Sequence, residues 1–382
     1  MTRLVARVGY ERTSLKNLLQ HAKVARATFY RQFADKRDCL LSAQRHCQEE
    51  LVCAVLGAEG SPWAALAAFA QSRPDAIGLI ADLPLLGDQG VLSEHERARG
   101  EIAAAILVSD PSLHDLPVGV LGGGAMRVLA SRARQPGLDA QAIATHIALW
   151  ASSYQPGGAR VAQLCEAAPL PALLGQPSPA STTIEQGEAP QSSRPKILRA
   201  LLDEADQPER PMTVGQLATA AGLTRETFYG HFPDRGAAVK RLRQIVSSDL
   251  IALCMRSFVA HQQWPEQIWH TGHTLLSFLD EHPKVTRFLL SGPLQEPGDD
   301  SDDCLNTFAV FLGPGLERLD GKLSDLYSQL ILASEIELLF SGMRTSKHLR
   351  SKHCWLAFLA LAPAMGSDKA TDFLAAQLKP TT

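Results

Sequence analysis

Arg26, Ala27, Thr28, Tyr30 and Arg31 stand together in one short run, and Arg225, Glu226, Thr227, Tyr229 and His231 stand in a second run 199 positions later. These side chains offer guanidinium donors, hydroxyls and phenols, with no nucleophile set beside a base. On a helix they lie opposite Phe29 and Phe33, or Phe228 and Phe232, whose i, i+4 spacing buries one face. Arginine can donate two hydrogen bonds to guanine, and glutamate can accept one from cytosine N4. A short helix exposing this set fits the major groove of double-stranded DNA, with its first turn against base edges.

The elements that would present that face precede it in both runs. The first run reads T-S-L-K-N-L-L-Q-H-A-K-V-A-R-A-T-F-Y-R-Q-F from Thr13 to Phe33, and the second M-T-V-G-Q-L-A-T-A-A-G-L-T-R-E-T-F-Y-G-H-F from Met212 to Phe232. They align without a gap, sharing Leu18/Leu217, Ala22/Ala221, Arg26/Arg225 and the Thr-Phe-Tyr-x-x-Phe ending. Ser14 and Thr213 are hydroxyl residues placed to cap a helix start. Leu15, Leu18, Leu19 and Ala22, like Val214, Leu217, Ala218 and Ala221, recur at helical spacing. A tight turn follows, for which Gly222 is suited and Lys23 is a costlier choice. The second helix then begins near Ala25 or Thr224. Each run reads as a helix-turn-helix, and the repeat makes the chain a tandem of two similar units.

Gly9-Tyr10-Glu11, the Thr13 to Phe33 run and Ala34-Asp35-Lys36 together resemble the DNA-binding head of the TetR/AcrR family of bacterial repressors. The second run resembles it too, with Pro233-Asp234-Arg235 after its final Phe. The resemblance implies an all-α fold of two TetR-like units, each a head followed by a helical regulatory domain, paired within the chain as a pseudo-dimer. It implies that Arg26, Ala27, Thr28, Arg225, Glu226 and Thr227 face bases. Ser14, Tyr30, Lys36, Thr213, Tyr229, His231 and Arg235 would touch phosphates, which set register without naming a sequence. Only Met1 to Val8 precede Gly9, fewer residues than the family's first helix usually supplies, with Leu4, Val5 and Val8 available for its buried face.

Composition sets the remaining bounds. The 382 residues are 45% hydrophobic and 20% charged, enough for two domains with cores of their own. No apolar run is long enough to span a membrane, and the N-terminus lacks a signal-peptide pattern. Seven scattered cysteines without a C-x-x-C pair read as reduced thiols, so a cytoplasmic protein is expected. The net charge of −3 conceals a gradient. Met1 to Cys47 holds ten Lys/Arg against three Asp/Glu, whereas Pro195 to Val246 holds eight against six. The first head carries the basic footprint that phosphate contact requires. The second does so only weakly.

Helical stretches are expected from Asp35 to Leu56, Trp63 to Phe69, Arg73 to Ala81, Glu94 to Val108, Gly119 to Arg134 and Asp139 to Tyr154. In the second unit they are expected from Pro195 to Ala205, Asp234 to His261, Lys322 to Ser341 and His353 to Ala362. Turns are signalled by Ser61-Pro62, Leu83-Pro84, Asp110-Pro111 and Gln135-Pro136-Gly137. Residues 169–194 are rich in Pro, Ser, Gln and Gly and read as a flexible linker. A flexible chain of ~25 residues typically spans roughly 25–30 Å, near the ~34–36 Å between half-sites one helical turn apart. The organisation expected is a first head at 1–47, its regulatory domain at 48–168, the linker, a second head at 195–245 and its regulatory domain at 246–382.

Other constellations carry less. His261, His270 and His273 lack a partner at metal-ligand spacing, as do His348, His353 and Cys354, so no metal or other cofactor is expected. Trp63, Trp264, Trp269 and Trp355 could line an effector site, yet tryptophans in helical domains usually belong to the core. Gly122-Gly123-Gly124 lacks a preceding strand and reads as a place for close helix packing. No catalytic triad, dyad or carboxylate pair is defensible from spacing, so no enzyme is expected. The reading is a DNA-binding regulator and repressor, answering to a small apolar or amphipathic effector and using two unlike heads on an asymmetric operator. The alternative is a ligand-sensing or protein-interaction module that has lost DNA binding in one or both heads.

Overall fold

The structure, a computed structural model, describes residues 1–10, 13–82, 89–135, 137–174, 193–205, 212–290, 307–345 and 348–379. Among these residues every regular element is helical and no strand occurs. The turn expected at Leu83-Pro84 and most of the linker expected at 169–194 lie outside the described residues.

In the first half α1 (Thr2–Val8), α2 (Leu15–Ala22) and α3 (Arg26–Gln32) precede the long α4 (Lys36–Leu56). Next come α5 (Pro62–Ser72), α6 (Pro74–Asp82), α7 (Gln89–Ser109), α8 (Val118–Ala133), α9 (Ala140–Ser152) and α10 (Gly158–Ala167). The second half opens with α11 (Ser193–Glu204), α12 (Val214–Ala220), α13 (Arg225–His231) and the long α14 (Arg235–Val259). It continues with α15 (Trp264–Glu281), α16 (Pro283–Leu290), the single turn α17 (Gly313–Leu316), α18 (Gly321–Thr345), α19 (His353–Met365) and α20 (Ser367–Gln377).

Local chemistry explains many of the boundaries. Pro62 and Pro283 open α5 and α16, where a missing N–H costs nothing. Asp35, Asp139 and Asp234 each accept a backbone N–H in the first turn of the helix that follows. Gly366, at φ 89°, supplies the left-handed residue between α19 and α20. The helices α10 and α20 were not expected from the sequence. Both are short, and both pack against α19, α10 through Val161, Leu164 and Cys165 and α20 through Ala370, Phe373 and Leu374.

Corresponding helices make corresponding contacts in the two halves. Helix α1 packs on α6, and α11 packs on α16. Leu4 and Val5 supply the buried face of α1. Between the halves α8 runs along α18, and α10 meets α19 and α20. Across this second seam the Tyr154 hydroxyl donates to the Leu359 carbonyl at 3.0 Å, and the Gly157 N–H donates to Ser367 Oγ at 3.1 Å. One large core runs through both halves and includes the fully buried Trp150, Tyr154, Phe278 and Phe358. Removing a fully buried side chain of that size costs about 3–5 kcal/mol.

Candidate nucleic-acid interface

The two helix-turn-helix segments coincide in their local geometry. Ser14 Oγ accepts from Asn17 N at 3.1 Å, and Thr213 Oγ1 from Gln216 N at 3.3 Å. Gln216 reciprocates by accepting from Thr213 N at 2.9 Å, a complete capping box. In the turn Lys23 lies at φ 54° and Gly222 at φ 68°, both left-handed. The next amide bonds back in each case, Val24 N to Leu19 O at 3.1 Å and Leu223 N to Ala218 O at 2.8 Å. Lys23 therefore accepts strain that Gly222 avoids.

The aromatic endings also agree. Phe29 packs against Phe33 with ring centroids 5.3 Å apart, and Phe228 against Phe232 at 5.9 Å. Tyr30 and Tyr229 stand edge-on to the buried Phe rings and remain 48% and 54% exposed. Arg26, Ala27, Arg225 and Glu226 are exposed on the first turns of α3 and α13, with Thr28 and Thr227 half-buried beside them. Each set of three expected base-facing residues thus shares one accessible helix end.

Within that common frame the side chains are held differently. The Arg26 guanidinium sits 5.6 Å from the Tyr30 ring, and Arg31 Nη2 donates to Thr28 Oγ1 at 3.5 Å. Arg225 instead lies back over α12, where a Cβ at Gly215 would fall 3.0 Å from its Nε. Ala25 gives α3 no side-chain cap, whereas Thr224 Oγ1 caps α13 by accepting from Thr227 N at 3.1 Å. Ser14, Thr213 and His231 are exposed. Two expected phosphate cations are engaged within the protein. Lys36 Nζ donates to the Tyr10 carbonyl at 3.1 Å and lies 3.9 Å from the Tyr10 ring. Arg235 pairs with the buried Glu204 carboxylate at 2.9 Å, which also accepts from Met212 N. These bracing contacts link elements distant in sequence, which spacing alone did not reveal.

The cores beneath the two segments differ most. Leu4, Leu18, Phe29 and Cys39 form a small cluster of their own, flanked by Met1, Val8, Leu15, Leu19 and Phe33. Their counterparts Leu217 and Phe228 join Ile197, Leu198, Leu201 and Phe232 in the main core.

The other candidates resolve as follows. His261 and His270 stack with ring centroids 3.8 Å apart, and burial followed by His261 and His273 lowers the His270 pKa. Burial pushes His353 down to about 3, although its Nε2 bonds to the Trp269 carbonyl at 2.7 Å. Among the described residues no group of three or more His, Cys, Asp or Glu is placed to hold a metal ion. A cavity of ≈ 370 Å³ opens at the far end of the first half, lined by Pro62, Trp63, Leu113, Ser61, Asp110 and Gln155 among others. Asp110 and Gln155 are already hydrogen-bonded to Ser112. Trp264, Trp269 and Trp355 are partly buried against the core. No helix among the described residues is long and apolar enough to cross a membrane.

The described residues thus place exposed arginine and tyrosine on the second helix of an N-terminal helix-turn-helix, with phenylalanine buried behind them, an arrangement that suits contact with DNA. Residues 2–43 match the family of bacterial regulatory proteins, tetR family. The match spans α1 to α3 and the first turns of α4, so it is the first helix-turn-helix segment that is similar to that family. No curated protein matches the sequence. Among solved structures, a TetR family transcription regulator from Marinobacter aquaeolei VT8 aligns over 45% of this chain and 94% of its own, with 21% identity and a TM-score of 0.34.

Proposed function

We propose that this protein is a ligand-responsive repressor whose two non-identical heads read one asymmetric operator. In this reading the chain holds two TetR-like units, with heads at 1–47 and 195–245, regulatory domains at 48–168 and 246–382, and a linker at 169–194. The units pair within the chain, replacing the symmetric homodimer that a palindrome would require. The repeated turn carries the reading: Lys23 and Gly222 are both left-handed, at one fixed offset, between matching caps and matching aromatic endings. Base contacts fall to Arg26, Ala27, Thr28, Arg225, Glu226 and Thr227. Phosphate contacts fall to Ser14, Tyr30, Lys36, Thr213, Tyr229, His231 and Arg235, with Lys36 and Arg235 also bracing their heads. A small apolar or amphipathic effector would change head placement and release DNA by binding one arrangement better than the other. The protein acts in the cytoplasm and carries out no catalysis.

A second reading keeps the first head on DNA and makes the second a structural element. Arg225 lying over Gly215 and Arg235 tied to Glu204 favour it. Binding to DNA upstream of the protein's own gene, titrated with salt, tests both. Sequence-selective, salt-sensitive binding that weakens in both Arg26→Ala and Arg225→Ala supports the two-headed reading. Loss in Arg26→Ala alone supports the second. Absence of selective binding in the wild type rejects both.

A further inference from the structure

The seam between α8 and α18 is unlike on its two sides. Helix α8 has backbone where side chains would be expected. A Cβ on Gly123 would lie 2.7 Å from Glu337 Cγ, and one on Gly124 would lie 2.8 Å from the Ser334 amide nitrogen. Two successive glycines thus form a socket, and Glu337 and Ser334 of α18 fill it. The charges are divided in the same way. Helix α8 carries Arg127 and Arg132 and no acidic residue. Between Lys322 and Arg344 the ionisable carboxyls of α18 are Asp325, Glu335 and Glu337, of which burial pushes Glu335 up to about 8 and so leaves it mostly neutral near pH 7.

The two sides meet at Glu337, which is 1% exposed at its side chain. Arg127 Nε donates to its Oε1 at 2.6 Å, and His95 Nε2, from α7, lies 3.0 Å from its Oε2. Arg132 Nη2 donates to Gln329 Oε1 at 2.9 Å further along the seam. Burial alone would raise the Glu337 pKa, but Arg127, His95 and Arg99 outweigh it and hold the carboxyl well below its usual range. Every cation that stabilises it belongs to the first half. An ionised carboxylate in this position is tolerable only with such partners, since an unpaired buried charge is strongly destabilising.

We infer that this seam is a heterotypic lock that accepts only the complementary half, the glycine socket and Arg127 of one unit taking Ser334 and Glu337 of the other, and rejects like-with-like pairing. The inference rests on the two-unit reading proposed above. Two α18 helices face to face would bury two Glu337 carboxylates with no nearby cation of their own. Two α8 helices would oppose glycine to glycine, leaving voids, and bring two Arg127 guanidiniums together. Repulsion of the wrong pairings gives specificity as much as attraction of the right one does. Each chain is thereby kept from cross-linking with others through its halves, and the two heads are always one of each kind.

The test is a double-mutant cycle on the full chain with Arg127→Met, Glu337→Gln and the double variant, read by thermal melting and by native mass spectrometry. Each single change is expected to lower the melting temperature by on the order of 10 °C, because it strands a buried partner. The double variant should melt no lower than the worse single one. With the charges gone, like-with-like pairing is no longer repelled, so the share of two-chain species should rise several-fold over wild type. Should Glu337→Gln fail to fold, Arg127→Lys and Arg127→Met compare the same contact with Glu337 kept. Lys should hold the wild-type distribution and Met should shift it. Additive losses, or an unchanged distribution in the double variant or in Arg127→Met, overturn the inference. Loss of pairing specificity with intact selective DNA binding leaves the functional reading standing. Intact pairing with no selective DNA binding would remove that reading alone.

Discussion

In the first helix-turn-helix segment Leu4, Leu18, Phe29 and Cys39 form a small cluster apart from the main core that Val5, Leu40 and Leu41 join, whereas in the second segment Leu217 and Phe228 belong to the main core itself. Both share a hydroxyl cap on the first helix, a left-handed turn and the Phe-Tyr-x-x-Phe ending, yet what lies beneath differs. The first combines a strained turn at Lys23, an uncapped α3 and a small separate cluster with a strongly basic sequence. The second combines a glycine turn, a capping box, a capped α13 and a continuous core with little net charge. A helix-turn-helix can thus keep its outward geometry while its stability comes from different sources. The more basic segment is the one with the left-handed lysine, the uncapped second helix and the small separate cluster.

Substitution at the matching core phenylalanines should show this difference most strongly. Phe29→Ala and Phe228→Ala should each cost roughly 3–5 kcal/mol locally. Phe29→Ala is expected to open the first head while leaving the main melting transition in place, and Phe228→Ala to lower that transition. Hydrogen exchange resolved by segment checks it, and equal losses in the two segments would break the comparison. Next in size, Arg26→Ala should cost about 1–3 kcal/mol of base discrimination. Arg225→Ala should cost less, as Arg225 lies over Gly215 in the free protein; selection from base-substituted operators measures both.

Acid separates the regions more gently. His353 stays neutral in the folded second half down to about 3, whereas its usual value is 6.5. Between these values the unfolded chain binds the extra proton, so stability falls as pH drops through that window. The first head's cluster of Leu4, Leu18 and Phe29 around Cys39 contains no group titrating there. Melting from pH 7 to pH 4 should therefore weaken the main transition before first-head exchange changes, and His353→Gln should reduce the slope. Smallest are the turns: Gly222→Ala should cost about 1 kcal/mol, and Lys23→Gly should gain somewhat less, both measurable by denaturant melts.

Much of this was legible in the sequence because it is local. The long α4 and α14, the caps at Ser14 and Thr213, and the left-handed turn all follow from spacing and residue type. The close packing expected at Gly122-Gly123-Gly124 is realised, although its partner Glu337 lies over 200 residues away and no pattern names it. The same limit hid the Lys36–Tyr10 and Arg235–Glu204 braces and the short helices α10 and α20. Long-range electrostatic and packing partners are chosen by the fold. One chain's spacing cannot show them.

Selection from a random DNA library by the wild type, Arg26→Ala and Arg225→Ala tests the central claim most directly. Two unlike half-sites are predicted for the wild type, with one half relaxed in each variant and a different half in each case. Recovery of a palindrome, or of no enriched sequence, would contradict the account.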